Sequence, residues 1–431
     1  MNGKKIKYSD FVQSASLFFA LIIAFWIPSY RWVLSDFIVG WLLFSVLEFN
    51  FKQRLIGLKN PFARNMFILQ LVLFALILSD IIRTGMSPDI SKNTLQKLSL
   101  LIFPLLFALS GIAFKKKKYL FLKLFVLSNI LMSLICLGVA LYHSISFPDG
   151  KLIFEPHYLS YRSYFTQSDL SVFHHRSYFS MYIVFALAIT FYLKEKQNTF
   201  NTLLKNILFW CIILFFILMV YLLESRAGVI SLAVLLIWQL IYKIMFSENK
   251  LLKVLILIPI VLMIYFVFTN KRIQHTIAQI TNSEKESKSI AGKNAPERLI
   301  LWKSATKIIS ENFLEGIGTE YFHATFNKTY LKYSGVNKKT VEKLNYNVHN
   351  QFLEEFVLYG IFGFILLLTL FIYPIIISFK RKNYLFLAFL LITGFNFLFE
   401  SMLNTIAGIV FFTFFMNYFI FVFNDKQIKN F

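Results

Sequence analysis

The stretch NVHNQFLEEFVLYGIFGFILLLTLFIYPIIISFK, from Asn347 to Lys380, joins the end of a long polar segment to a strongly apolar run. Connections in compact proteins rarely exceed about 12–15 residues unless they are functional or disordered. The polar segment, 271–351, is far longer than that, has an amphipathic pattern of its own, and ends beside His349. We therefore predict that this segment is the working part of the protein.

The composition is that of a membrane protein. Apolar residues make up 57% of the chain, 52 residues are phenylalanine, and 15% are charged, whereas soluble domains have about 25% charged residues. Apolar runs of about 17–25 residues can cross a bilayer as helices. The sequence therefore predicts an all-α, polytopic integral membrane protein with about twelve spans. The predicted spans are 12–30, 32–49, 66–82, 98–114, 124–143, 177–193, 204–223, 227–246, 252–269, 353–378, 384–399 and 405–423.

These spans divide the chain into three parts. We predict spans one to nine in 1–270, a large outer loop in 271–351, and spans ten to twelve in 352–431. With the amino terminus inside, the cytoplasmic segments contain 23 of the 44 Lys and Arg residues and the short outer loops contain 8. This bias predicts that both termini are cytoplasmic. The net charge of +22 then reflects topology and contact with anionic membrane lipids, and we expect no nucleic-acid partner.

Arginine is concentrated on the predicted outer side. Of the 8 basic residues in the short outer loops, 5 are arginine, against 3 of the 23 inside. The outer arginines are Arg31, Arg83, Arg162, Arg176 and Arg226. Lysine and arginine serve equally as topology signals, but only arginine has a planar fork that binds phosphate or carboxylate in a bidentate way. For most of these residues the simpler alternative, that they merely avoid the bilayer core, stays open.

Two outer arginines are candidate anion-binding residues. Arg226 lies in a very short turn, Glu-Ser-Arg-Ala-Gly at 224–228, between two predicted spans. Such a turn fixes the arginine at the membrane surface, although pairing with the neighbouring glutamate is the structural alternative. Arg176 begins the sixth span, directly after His174 and His175. Adjacent histidines lack the i,i+4 spacing of a helical metal site, so we do not expect zinc there.

The long loop contains a predicted amphipathic helix over 296–315, which Gly316-Ile317-Gly318 ends. Its apolar residues recur at helical spacing: Leu299, Trp302, Ala305, Ile308 and Ile309. Arg298 lies in the first turn, where a positive charge opposes the helix dipole. That arrangement is tolerable if an anion binds nearby, because helix amino termini also attract phosphate.

Taken in order, these motifs resemble the O-antigen ligase and polymerase superfamily. The elements are the Ser-Arg-x-Gly turn at 225–228, an Arg-x-x-x-Trp helix leading to Gly-x-Gly, and the His-Asn-x-x-Leu-Glu run from His349 to Glu354. Gly360 and Gly363 follow in the tenth span. The resemblance covers the whole topology, and its motifs are concentrated in 220–365.

The resemblance implies an enzyme of the bacterial inner membrane that transfers a glycan from an undecaprenyl diphosphate carrier to an acceptor hydroxyl on the periplasmic face. In ligases the acceptor is lipid A–core, and in polymerases it is another lipid-linked repeat unit. Arg226 and Arg298, with Arg176 as a third residue, are then expected to bind the donor diphosphate, and His349 to serve the acceptor. Ligase is favoured over polymerase because Arg226, Arg298 and His349 match that branch in spacing as well as type.

The residues agree with this chemistry. Cations stabilise a departing diphosphate where water is scarce, and histidine accepts a proton near neutral pH. Direct attack by the hydroxyl inverts the anomeric centre. No Asp-x-Asp motif occurs in the predicted outer segments, so we expect neither a metal nor another cofactor. We expect Glu354 or Glu355 to orient His349, with Asn350 as a supporting residue. The alternative is that the carboxylate only interacts favourably with the dipole at the start of the helix.

Two other function classes stay open. A secondary transporter, including a flippase for lipid-linked glycans, would place ionisable residues deep within its spans. Instead, Asp36, Asp80, Glu224 and Glu400 lie near predicted span ends. A protein O-glycosyltransferase of the same superfamily is the second alternative.

Overall fold

The computed structural model describes residues 2–29, 31–48, 51–84, 95–159, 162–197, 199–246, 297–334, 339, 341 and 346–423. Within these residues the protein is an all-α membrane protein. The helices are α1 Asn2–Trp26, α2 Arg31–Leu47, α3 Phe51–Arg54, α4 Pro61–Thr84, α5 Ser99–Phe114, α6 Lys118–Ser144, α7 Gln167–Leu170, α8 Arg176–Gln197, α9 Leu203–Leu223, α10 Arg226–Phe246, α11 Glu297–Glu311, α12 Gly318–Ser334, α13 Gln351–Lys380, α14 Tyr384–Phe399 and α15 Ile406–Asn417. Short 3₁₀ turns cover Leu55–Lys59, Lys115–Lys117, Pro148–Gly150 and Met402–Asn404, and a π turn covers Tyr418–Val422.

The long helices coincide with the predicted spans. Eleven of the twelve spans fall on α1, α2, α4, α5, α6, α8, α9, α10, α13, α14 and α15. The ninth, 252–269, lies outside the described residues. Five described stretches are long and apolar enough to cross a membrane, and five shorter apolar helices accompany them; one long stretch, Leu95–Ser144, contains both α5 and α6. A multi-pass membrane protein is therefore supported, while the count of twelve stays a prediction.

Two small hairpins depart from the helical pattern on the segment between α6 and α7. Strand β1 (Ile145–Ser146) pairs with β2 (Ile153–Phe154), and β3 (His157–Leu159) pairs with β4 (Arg162–Ser163), both antiparallel. Asp149 and Gly150 make the first turn with positive φ angles of 51° and 74°. Strands this short leave no hydrophobic alternation by which a sequence could predict them.

The core is built from phenylalanine around α8, which packs against α6, α9, α10 and α14. The ring of Phe415 lies 4.8 Å from that of Phe125 and 5.0 Å from that of Phe185, both edge to face. Lipid is as apolar as these side chains, so helices in a membrane associate through close packing rather than through hydrophobic exclusion from water. Edge-to-face aromatic pairs add to that packing, which explains why so many phenylalanines point inward.

Helix α13 is interrupted one third of the way along. Tyr359 and Gly360 leave helical geometry, and Gly360 adopts φ 61° and ψ −158°, a region essentially restricted to glycine. The turn after α11 packs its backbone into this break. The Ile317 amide donates to the Val357 carbonyl and the Ile361 amide donates to the Phe313 carbonyl, each at 2.9 Å. These bonds satisfy backbone groups that the break would otherwise leave unpaired within the membrane.

Glycine is required on both sides of this contact. A Cβ atom at Gly316 would lie 2.5 Å from the Leu358 carbonyl oxygen, and one at Gly360 would collide with the Leu314 carbonyl. The Gly-x-Gly element of the loop and Gly360 of the tenth span are thus parts of one backbone-to-backbone junction. It fixes the end of α11 against α13.

The outward placement of the long loop stays a prediction, since residues 271–296 lie outside the described residues. We expect a single cysteine at Ser283 or Ser289 to react with a membrane-impermeant thiol reagent in intact spheroplasts. A cysteine at exposed Lys116, in the turn between α5 and α6, is the control and should react only after lysis. Labelling is done in a Cys211→Ser background because Cys211 is exposed on α9. The reverse pattern of labelling would contradict the predicted orientation.

Candidate active site

A cavity of about 290 Å³ lies where the ends of α8, α9, α10, α11 and α14 meet the start of α13. It is lined by His175, Arg176, Ser177, Glu224, Ser225, Arg226, Ala227, Glu297, Arg298, Leu301, His349 and Glu400. The structure thus brings together all three arginines selected from the sequence and the histidine. These residues are up to 173 positions apart in the chain, so only the tertiary fold unites them.

Each of the three arginines lies at the start of a helix. Arg176 begins α8, Arg226 begins α10, and Arg298 is the second residue of α11. Helix amino termini carry partial positive charge and favour anions. Three glutamates also line the cavity and balance the formal charge of the arginines. The capacity of the cavity to bind an anion therefore depends on the hydrogen bonds that these carboxylates make.

The Ser-Arg-x-Gly turn has a clear structural cause. Glu224 ends α9 in the left-handed region, with φ 45° and ψ 34°, and so reverses the chain within one residue. The Ser225 hydroxyl accepts a hydrogen bond from the Gly228 amide at 3.2 Å and caps α10. Gly228 lets α10 approach α8, because a Cβ there would collide with Ser180. This close approach brings Arg226 and Arg176 to the same cavity.

Arg176 and Glu224 are joined through a third side chain. The Gln167 amide nitrogen donates to Glu224 Oε2 at 3.0 Å, and Arg176 Nη1 donates to Gln167 Oε1 at 3.2 Å. Gln167 itself has a positive φ of 58° at the start of α7. The carboxylate of Glu224 is therefore partly engaged at the edge of the cavity.

His349 is held in a strained backbone conformation. Its φ is 50°, in the left-handed region that non-glycine residues seldom occupy. Asn347 Oδ1 accepts from the His349 amide at 3.0 Å, and Asn350 Oδ1 accepts from the Leu353 amide at 3.1 Å, capping α13. Strain of this kind persists where the surroundings fix it, and it is concentrated at functional sites. Asn350 thus supports the position of His349 through the helix start.

Glu400 contacts both the histidine and one arginine. Its Oε2 lies 3.3 Å from His349 Nδ1, and its Oε1 accepts from Arg298 Nη2 at 3.3 Å and from the Ser177 hydroxyl at 3.0 Å. Burial alone would raise the pKa of Glu400, but the hydrogen bond with His349 and the nearby positive charges outweigh it and lower that pKa. With Glu400 ionised, Nδ1 is the donor, which leaves His349 Nε2 to accept a proton when the ring is neutral.

The carboxylate beside His349 is therefore Glu400, rather than Glu354 or Glu355 as expected from the sequence. Glu355 instead accepts a hydrogen bond from the side-chain amide nitrogen of Gln351, Nε2, at 2.9 Å. Sequence reasoning missed Glu400 because the contact spans 51 residues, and because an acidic residue at a span end is unremarkable. Its predicted place at the outer end of the eleventh span, on the side of His349, was the available signal.

Glu354 has a different supporting role. It is fully buried, and its carboxylate accepts from the Val348 amide at 3.2 Å and from the side chains of Ser401 and Asn404. Val348 precedes His349 and Ser401 follows Glu400 in the chain. Glu354 therefore ties together the two backbone segments that carry the histidine–glutamate pair.

The side chains of the adjacent residues His174 and His175 lie in different surroundings. His175 lines the cavity. Partial desolvation lowers the pKa of His175; Glu400 opposes this shift and Arg176 adds to it. His174 Nε2 instead contacts the Ile27 carbonyl at 3.2 Å. Over the described part of the chain, no group of three or more His, Cys, Asp or Glu side chains is arranged to hold a metal. Independence from metal stays a prediction.

Comparison with known proteins agrees with this geometry. Residues 211–368 match the family described as O-Antigen ligase, while no curated protein matches the chain. The matched segment includes Arg226, Arg298, His349 and the Gly360 break, whereas Arg176 and Glu400 lie outside it. The resemblance found in the sequence is thereby confirmed: the segment 211–368 is similar to the O-antigen ligase family, within the O-antigen ligase and polymerase superfamily.

Proposed function

We propose that the protein is an O-antigen ligase that transfers a glycan from undecaprenyl diphosphate to a lipid A–core hydroxyl on the periplasmic face of the inner membrane. The family match supports ligase- or polymerase-type activity in general. The observation that carries the finer proposal is the gathering of Arg176, Arg226 and Arg298 with the His349–Glu400 pair in one cavity. A polymerase that joins lipid-linked repeat units is the alternative.

The proposed step is a direct, inverting displacement. The acceptor oxygen forms a bond to the anomeric carbon while the bond from that carbon to the diphosphate oxygen breaks, and the electron pair leaves with the diphosphate. The hydroxyl proton passes to His349 Nε2, and ionised Glu400 stabilises the resulting imidazolium. The arginines stabilise the charge that develops on the diphosphate. The step needs no metal.

Glu400 couples the two halves of this proposed site. One oxygen contacts the proposed base and the other contacts Arg298, each at 3.3 Å. The side chain of Glu400 is only 9% exposed, so solvent screens its charge weakly. The proposed base and the proposed diphosphate ligand therefore share one buried carboxylate as a common hydrogen-bond partner.

The proposal is tested with purified protein, an undecaprenyl-diphosphate-linked glycan, lipid A–core and a chelator. A ligase forms glycosylated lipid A–core under these conditions. If the glycan grows longer on its lipid carrier when lipid A–core is omitted, the protein is a polymerase rather than a ligase. A deletion strain gives an independent result, because loss of a ligase removes all polymer from lipid A–core, whereas loss of a polymerase leaves a single repeat. Failure to transfer to any acceptor, or a strict metal requirement, would contradict the proposal.

Glu400→Gln is expected to lower the turnover number by about tenfold or more, because the charge-assisted contacts to His349 and Arg298 are lost. The pKa of Glu400 is lowered, so the carboxylate takes up a proton only below the ordinary glutamate value of about 4.3. The defect should therefore persist across pH 5 to 8. An unchanged turnover number for Glu400→Gln at neutral pH would show that these contacts do not contribute to transfer.

A further inference from the structure

A second polar cavity, of about 360 Å³, lies among α1, α3, the residue after α2 and the end of α5. On the predicted topology these segments are at the cytoplasmic ends of their spans, so the cavity is on the opposite side of the membrane from the candidate active site. Ligand sites commonly have volumes of about 300–1,000 Å³. Six of the described residues that line the cavity have polar side chains: Gln13, Ser16, Glu48, Gln53, Arg54 and Ser110.

Arg54 is held at this cavity by main-chain carbonyls. Its Nε donates to the Leu109 carbonyl at 3.0 Å, and its Nη1 donates to the carbonyls of Ser45 and Glu48 at 2.6 and 2.7 Å. The Arg54 side chain is only 8% exposed. Its Nη2 is buried and has no hydrogen-bond partner among the residues that the structure describes. A buried charged donor without a partner is costly, so the guanidinium has capacity for one more acceptor.

Glu48 places a negative charge beside this cation. Its Oε2 lies 3.4 Å from Arg54 Nε, and its Oε1 accepts from the side-chain nitrogen of Gln13 at 2.8 Å. The two charges cancel, so the pair favours neither a simple anion nor a simple cation. Each carboxylate oxygen has two lone pairs, so Glu48 can accept a further hydrogen bond. A ligand with one negative and one positive group close together complements this pair.

The lining of the cavity includes exposed residues of both kinds. Gln53 is an exposed polar residue, whereas Ile112 and Ala113 are exposed apolar residues near the end of α5. The basic turn Lys115–Lys117 follows directly, as expected at the cytoplasmic surface of a membrane. A molecule in the cavity can therefore have its polar part among the six polar side chains and its apolar part along α5, in the lipid.

We propose that this cavity binds the head group of an inner-leaflet phospholipid that has both a phosphate and a primary ammonium. The phosphate accepts a hydrogen bond from Arg54 Nη2, and the ammonium donates one to Glu48. The Ser16 hydroxyl, which is buried without a hydrogen-bond partner among the described residues, is a second donor for the phosphate. The acyl chains lie along Ile112 in the membrane. A lipid bound in this way joins α1, α3 and α5, because each of these helices contributes lining residues.

The test compares three phospholipids, whose binding to the purified full-length protein in detergent is measured by native mass spectrometry. Phosphatidylethanolamine should bind about tenfold more tightly than phosphatidylcholine, whose quaternary ammonium cannot donate a hydrogen bond to Glu48. It should also bind about tenfold more tightly than phosphatidylglycerol, whose head group has no positive charge to offset that carboxylate. Equal or tighter binding of either competitor would overturn the proposal.

Glu48→Gln removes the negative charge but retains the shape of the side chain and a polar group beside Gln13. It should lower the affinity for phosphatidylethanolamine by about tenfold and abolish the preference over phosphatidylglycerol. Lys116→Gln is the matched control, because it removes an exposed charge from the adjacent turn and does not line the cavity. If Lys116→Gln weakens binding as much as Glu48→Gln does, the lipid is attracted by general surface charge and the proposal is wrong.

A second measurement uses the wild-type protein alone. Phosphatidylethanolamine with a diazirine near the glycerol end of one acyl chain should label residues 109–114, and an excess of phosphatidylglycerol should not displace it. Labelling outside this range, or displacement by phosphatidylglycerol, would show an ordinary lipid surface and overturn the inference. Displacement by an equal concentration of free O-phosphoethanolamine would show that the ligand is a soluble phosphate ester, and would overturn the assignment to a lipid.

Discussion

His349→Ala is expected to reduce glycan transfer by about 10²- to 10⁴-fold, the usual contribution of a positioned general base. The ring touches Glu400 through Nδ1, so its Nε2 is the atom available to the acceptor hydroxyl. The reaction is followed with purified protein, lipid-linked glycan and lipid A–core. Protein yield and binding of undecaprenyl diphosphate, measured in parallel, should remain close to wild type.

His349→Asn is the matched control, and the backbone makes it an informative one. Position 349 has a φ of 50°, a conformation that asparagine adopts more readily than most residues. The variant should therefore fold and keep hydrogen-bonding capacity, yet it cannot take up a proton near neutral pH. We expect it to be as inactive as His349→Ala. Near-normal turnover would reduce His349 to a structural residue at the start of α13.

Arg226→Lys and Arg298→Lys are each expected to slow transfer by roughly 10- to 150-fold, equivalent to about 1.5–3 kcal/mol for one charge-assisted contact. Lysine keeps the charge but loses the planar fork that grips two phosphate oxygens. Arg298 also lies over the Phe399 ring at 5.9 Å, so its plane is oriented on a second side. The measurement is the steady-state rate with lipid-linked donor.

Arg162→Lys serves as the control for these substitutions. Arg162 is an exposed arginine in β4, with Nη1 donating to the Tyr158 hydroxyl at 3.3 Å, and it does not line the cavity. Its lysine variant should transfer glycan at the wild-type rate. If all three lysine variants transfer glycan at the wild-type rate, Arg226 and Arg298 are ordinary surface charges rather than diphosphate ligands.

Features encoded in neighbouring residues were predictable from the sequence. Apolar runs located eleven described helices, and the amphipathic pattern over 296–315 located α11 at Glu297–Glu311. The helix ends earlier than its pattern because the Phe313 carbonyl and the Ile317 amide form hydrogen bonds with the backbone at the break in α13. A pattern of apolar residues contains no information about such a contact with a distant segment.

Features that depend on distant pairing were not predictable. Arg226, Arg298 and His349 were identifiable because each lies in a short motif, but the role of Glu400 follows only from its contact with His349. Glu354 shows the same limit, since its place in the sequence suggested the wrong partner. The left-handed backbone of His349 also depends on its neighbours Asn347 and Asn350, whose side chains have many other possible bonds.

The junction between Gly316 and Gly360 also determines which pieces of this protein are interchangeable. Two main-chain segments meet there without intervening side chains, so their fit is independent of most local sequence, provided that both glycines remain. A chimera between related proteins should therefore tolerate exchange of α11 alone, or of the first turns of α13 alone, as long as Gly316 and Gly360 are kept. The stretch from α12 to residue 346 lies between these two anchors in the chain, so its sequence can change while the junction between α11 and α13 is kept.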